Sequence, residues 1–416
     1  MGQTIAEKII SRHAGATVQA GDIAVVDVDG TMATDATAPF AIRAFREMGG
    51  TGLWDPERVS LVLDHATPAP NERVGNLHRL MREFASETGC TLYDVGEGIC
   101  HQLMVEKGHV RPGDIFLGAD SHTPTYGALG AFAVGVGSTD MAAVMLTGKT
   151  WLKVPQTVRI ELTGELQPGV EPKDIILFLV GKLGIAGATY EAIEFAGEAV
   201  DTLSLAGRMT LANMVAEMGA KAALVDTRTL PSSYPFTPTA ADEDAAYRAV
   251  HTFEISGLRP QISLPHAPDK VVAIDSALGT EVQSAFIGSC TNGRLEDLHA
   301  AAAVLQDRHV APGVRLTIAP ASRQVFNAAV RDGTVAILSA AGASFITSGC
   351  GPCVGTHQGV PGDGEVVISS SNRNFRGRMG NPRASIYLAS PTVVAAAALT
   401  GKIVDPAEVL AEQGSP

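Results

Sequence analysis

"GDIFLGADSH", residues 113–122, is an apolar run of strand length that ends in a charged and polar cluster. The same construction recurs in "DIAVVDVD" at 22–29 and "VSLVLDH" at 59–65. Each reads as a buried strand, since short Val-, Ile- and Leu-rich runs bounded by polar residues suit strands covered on both faces. Between 65 and 113, "ERVGNLHRLMREFASETG" (72–89) has helical spacing of its apolar residues and a glycine stop. Strand, loop and helix in alternation imply an α/β fold with a mostly parallel sheet covered by helices. Ligands bind such sheets at the carboxyl ends of the strands, which is where Asp64-His65 and Asp120-Ser121-His122 fall.

The chain of 416 residues is too long for one core. Three α/β domains are expected, over residues 1–155, 156–268 and 269–416. "TVRIELTGEL" (157–166) and the helical "PKDIILFLVGKLG" (172–184) open the second. It runs to a Pro-rich, acidic passage, "PSSYPFTPTAADEDAAYR" (231–248), and "LRPQISLPHAPDK" (258–270) reads as an extended crossing segment. The third has strands in "SAFIGS", "VRLTIAP", "ASFITS" and "EVVISSS". Three of them lead into "GSCTNGR" (288–294), "SGCGPCVG" (348–355) and "SSNRNFRGR" (370–378), so these loops are expected to meet at one sheet edge.

Composition narrows the function. A net charge of −13 argues against nucleic acid as a partner, because phosphate binding needs basic surface. The first residues, MGQTIAEKIISRHAG, lack the apolar core of a signal peptide, and no apolar run reaches the ~18 residues of a membrane span. A cytoplasmic protein is expected. Five cysteines in such a chain point to metal or catalytic use rather than disulfides.

Cys350 and Cys353 admit three readings. A thioredoxin-like redox pair leaves Cys290 without a role. A structural zinc site needs a fourth ligand, which His357 would supply. Three thiolates without a fourth suit a [4Fe–4S] cluster with one iron open to act as a Lewis acid. Cys90 and Cys100 read as buried small hydrophobes.

These cysteine loops, together with "GADSHTPTYGALGAFAVGVGSTD" (118–140), resemble the aconitase superfamily, most nearly its short members, the 3-isopropylmalate dehydratase and homoaconitase large subunits. The resemblance runs from MGQTIAEKI to "YLASPTVVAAAALTG" (387–401). It implies three α/β domains around a central [4Fe–4S] cluster held by Cys290, Cys350 and Cys353. It implies acid–imidazole pairs Asp64–His65, Asp120–His101 and Glu194–His122, with His65 as the acid for the leaving hydroxyl. Asn292 and Asn372 would lie at the cluster, and Arg373 and Arg378 would grip substrate carboxylates beside Ser121. Thr34 stands where relatives carry a longer residue that touches substrate. The resemblance further implies that the fourth, swivelling domain, which supplies a serine base, resides on a separate small subunit in a heterodimer or heterotetramer.

The expected activity is that of a hydro-lyase large subunit, isomerising 2- and 3-isopropylmalate by dehydration and rehydration in leucine biosynthesis. Homoaconitase, or a dehydratase of another substituted malate such as dimethylmalate or citramalate, is the alternative. From another class, a cluster-sensing RNA-binding regulator is weighed against the acidic balance and the intact histidines.

Overall fold

A computed structural model describes residues 2–230 and 236–411. Residues 231–235 of the Pro-rich passage and 412–416 of the third expected domain lie outside the described residues. Three larger sheets and one ribbon organise the chain. The first sheet is parallel throughout, in the order Thr91–Tyr93, Val59–Val62, Gly30–Thr34, Ile115–Gly118, Phe132–Gly135. The second, also parallel, runs Ala222–Val225, Ala192–Ala196, Thr157–Thr163, Ala249–Glu254. The third has seven strands: Val271–Ala273, Gln261–Ser263, Ser385–Leu388, Val366–Ser369, Ser284–Ile287, Arg315–Ile318 and Ser344–Phe345. Its first two strands are antiparallel additions and the remaining five are parallel.

Local chemistry explains the elements that position the site. The helix Glu72–Thr88 starts where the Asn71 side chain accepts from Val74 N–H at 3.1 Å and ends at Gly89, whose φ is +76°. Such an N-cap contributes about 1 kcal/mol. This helix and Ala38–Glu47 bury Phe84 and Phe45 in the core of the first unit. Among the described residues no helix is long and apolar enough to cross a membrane.

Two expectations are corrected. Residues 22–29 do not form a strand buried on both faces. Ile23–Asp27 pairs antiparallel with Lys149–Lys153 in a two-stranded ribbon, with Ile23 72% and Val25 62% exposed. Ala24 and Val26 face the core together with Leu152 of the partner strand, so the ribbon is covered on one side. The central strand is the next one, Gly30–Thr34, whose small residues carry little strand signal. Within 258–270, Gln261–Ser263 is no crossing segment but a strand of the third sheet.

The first and third sheets meet at the carboxyl ends of their strands. Cys350 N–H donates to the Asp64 carbonyl at 2.8 Å. A Cβ on Gly349 would sit 2.6 Å from that oxygen, so only glycine permits the approach.

Candidate active site

A buried aspartate shapes the first half of the site. Asp35, just past the strand Gly30–Thr34, accepts from the backbone N–H groups of Asp64 (3.1 Å), His65 (2.8 Å) and Ala66 (2.8 Å). His78 Nε2 lies 3.3 Å from Oδ2, the oxygen that also accepts from Ala66. Burial would raise the Asp35 pKa, but the His78 hydrogen bond, the His65 charge and the backbone donors outweigh it and hold the carboxyl at about 2. The sign follows: stability is present in full above the ordinary value of 3.8 and is lost as pH falls through about 2. Asp35→Asn is expected to cost about 2 kcal/mol at neutral pH and to flatten the acid limb between pH 4 and 2, read by urea unfolding across pH. An unchanged acid limb would remove Asp35 from this role.

Three imidazoles converge on one carboxylate. Asp120 Oδ1 accepts from His101 Nε2 at 2.8 Å and from the His122 backbone N–H at 2.8 Å, with His122 Nδ1 3.6 Å away, while Oδ2 lies 3.2 Å from His65 Nε2. Burial alone would raise the Asp120 pKa; the three histidines drive it well below its ordinary value. His65 has Asp64 Oδ1 at 2.8 Å from Nδ1 as well. With a carboxylate at each ring nitrogen, both nitrogens donate, which describes an imidazolium. Burial opposes that charge, but Cys350, Asp64 and Asp120 raise the His65 pKa well above the ordinary value. Asp64 itself is fully buried and ties His65 to the next element through Cys100 N–H at 2.7 Å.

The partner of His122 is Glu217, not Glu194. His122 Nε2 lies 2.9 Å from Glu217 Oε1, which also accepts from Arg373 Nε at 2.8 Å. Glu194 lies elsewhere, bound by Tyr247 Oη (2.6 Å), Arg159 Nη1 (2.9 Å) and Ile5 N–H (3.2 Å). Its strand neighbours Ile193 and Phe195 face one core, so the pleat turns Glu194 to the other side, toward the N-terminal helix. Glu217 follows Asn213 by four residues in the largely apolar "MTLANMVAEMG" (209–219). Two polar residues on one face of a buried apolar helix are the signal that would have found both.

The sulfurs of Cys290, Cys350 and Cys353 line the same cavity of about 90 Å³ as His65, His101, Asp120, Ser121 and His122. Asn213 Nδ2 donates to Cys290 Sγ at 3.2 Å, Asn372 Nδ2 to Cys290 Sγ at 3.4 Å, and Arg378 Nη2 to Cys353 Sγ at 3.6 Å. Burial pushes the Cys290 thiol up to about 12 and raises that of Cys350 as well. Buried thiols ringed by N–H donors gain from a metal group that replaces their protons. Among the described residues the buried Nε of Arg378 has no hydrogen-bond partner. The donor set therefore fits an iron–sulfur group.

The structure brings Asn372, Arg373 and Arg378 to the cavity, and Arg373 Nη1 donates to Ser121 Oγ at 3.1 Å. It does not bring Thr34 or Asn292. Thr34 is fully buried, turned to Thr37 Oγ1 at 3.3 Å, and does not line the cavity. Asn292 donates to Asp297 Oδ1 at 3.0 Å, while Asn213 and Asn372 take the places beside the sulfur. His357 lies 2.9 Å from the Thr67 carbonyl and does not line the cavity, so the zinc reading loses its fourth ligand. Cys100 lines the cavity beside the other sulfurs.

A sequence model of the aconitase family (aconitate hydratase) matches residues 7–281 and 275–401. The chain is 49% identical to 3-isopropylmalate dehydratase large subunit 1 of Methanopyrus kandleri over 98% of this chain and 99% of that one. It is 49% identical to the 3-isopropylmalate dehydratase large subunit of Elusimicrobium minutum, over 99% of this chain and 100% of that one. A probable methanogen homoaconitase large subunit of Methanosarcina mazei is 48% identical over 92% of this chain and 100% of its own.

Proposed function

Because the chain belongs to the aconitase family, we propose that it is the large subunit of a hydro-lyase that interconverts 2-isopropylmalate and 3-isopropylmalate by dehydration and rehydration. The observation that carries this reading is one cavity that gathers Cys290, Cys350 and Cys353 with three carboxylate-bound imidazoles and two guanidinium groups. The reaction is difficult because the proton lost lies beside a carboxylate and hydroxide leaves poorly. Cys290, Cys350 and Cys353 would hold a [4Fe–4S] group, which when bound would supply a Lewis acid for the leaving hydroxyl.

The chain's own residues do the rest. His65, charged between Asp64 and Asp120, donates a proton to the departing oxygen. Arg373 and Arg378 bind substrate carboxylates and offset charge that builds on the carbon beside them. Glu217 fixes both His122 and Arg373, coupling proton handling to substrate grip. Each imidazole already has its carboxylate, and Ser121 is engaged by Arg373. The base that removes the substrate proton is therefore assigned to a separate small subunit, in a heterodimer or heterotetramer. The homoaconitase relative supports a second reading with a tricarboxylic substrate.

Protein purified without oxygen is expected to hold about four iron and four sulfide per chain. With the cognate small subunit it is expected to turn over isopropylmalates, tested in a panel that includes homoaconitate and other substituted malates. Turnover confined to homoaconitate would select the second reading, and no turnover of any acid would overturn both. Robust activity from this chain alone would remove the small subunit as the source of the base.

A further inference from the structure

Lys173 is fully buried in the first turn of the helix Pro172–Leu183. An ammonium loses its hydration there, and the amino end of a helix disfavours a cation. The adjacent carboxylates are engaged elsewhere. Asp174 accepts from the backbone N–H groups of Gln261 and Glu171, each at 2.8 Å, and Glu171 accepts from Thr392 N–H at 2.9 Å. Lys173 Nζ donates instead to the carbonyls of Ser370 at 2.8 Å and Ser371 at 2.7 Å. Those two carbonyls lead directly into Asn372 and Arg373, whose side chains line the cavity.

Burial lowers the Lys173 pKa to about 7, and negative charge at Cys290 and Cys353, then at Asp297 and Asp174, works against that shift and favours the ammonium. Among the described residues the hydrogen-bond partners of Lys173 Nζ are two neutral carbonyls, so an anionic group held by the cysteines would supply its counter-charge. A buried cation beside thiolates lowers the cost of gathering negative charge there. It also favours the more negative, reduced state of a redox-active group held by them.

We propose that Lys173 is a positioning residue for the cysteine site: it clamps the Ser370 and Ser371 carbonyls so that Asn372 and Arg373 face the cavity, and it balances the charge of an iron–sulfur group held by Cys290 and Cys353. The proposal rests on the iron–sulfur reading above. K173Q removes the charge and keeps an N–H donor, K173M removes both, and K173R keeps both. Each full-length chain is loaded with iron and sulfide without oxygen. Iron loss to a mild chelator, the reduction potential of the centre, and thermal unfolding of the cluster-free chain are then measured.

K173Q and K173M are expected to lose iron about tenfold faster or more and to shift the potential to more negative values. K173R is expected to restore both, with cluster-free unfolding close to wild type in all three. A wild-type potential and chelator half-life in K173Q and K173M would overturn the inference. So would an equal destabilisation of the loaded and cluster-free chains, or failure of both variants to fold, which mark a purely structural lysine. A wild-type chain that takes up no iron and sulfide defeats the underlying reading as well, and is distinguished because the failure precedes any substitution.

Discussion

Cys353→Ser is expected to leave a folded chain that holds no intact iron–sulfur centre and has lost activity by roughly 10³-fold or more. A serine hydroxyl is a poor ligand where a soft thiolate is required. A Lewis acid at that site would contribute several kcal/mol to the leaving-group step, so its loss is expected to remove most of the rate. The fold survives because one sulfur atom is exchanged for oxygen beside Arg378 and Asn372, both of which donate to or accept from oxygen as readily as sulfur. The measurements are iron and sulfide per chain, the visible spectrum, circular dichroism, and turnover with the small subunit. A variant with wild-type iron content and turnover would contradict the ligand assignment.

The second large effect separates two glutamates. Glu217→Gln is expected to lower kcat/KM by about 10²-fold or more, because one carboxylate orients His122 and anchors Arg373. The glutamine cannot accept from both donors with a full negative charge, and the Arg373 guanidinium is freed to wander. Glu217 is held below its ordinary pKa: burial raises it, and His122 and Arg373 more than reverse that. It therefore remains charged at neutral pH. Glu194→Gln should leave turnover within a few-fold of wild type. Its carboxyl joins Arg159, Tyr247 and Ile5 at the N-terminal helix, so the loss appears as lower stability. Turnover lost in Glu194→Gln and kept in Glu217→Gln would restore the pairing expected from the resemblance and reject the geometry.

What the sequence by itself determined is local. Apolar runs ending in Asp64-His65, Asp120-Ser121-His122, Cys290, Cys350 and Asn372-Arg373 placed each group at the carboxyl end of a parallel strand. The strand-to-loop transition is encoded within about ten residues, and the pleat then fixes which side chains face forward. Cys350 and Cys353 were legible as neighbours on one turn, and Gly89 as the end of a helix.

Tertiary structure decided everything that requires distant segments to meet. Asp35, one residue beyond a weakly marked strand, became the anchor of the Asp64–His65 loop through backbone donors 29 to 31 positions away. Glu217 replaced Glu194 because the pleat of one strand turned a carboxylate away while a helix from the same unit turned another inward. The exposed ribbon at Ile23–Asp27 and the buried Thr34 have a related cause. An apolar run shows that some face is buried, but how many faces are covered, and which residue reaches a cavity, depend on what packs against it.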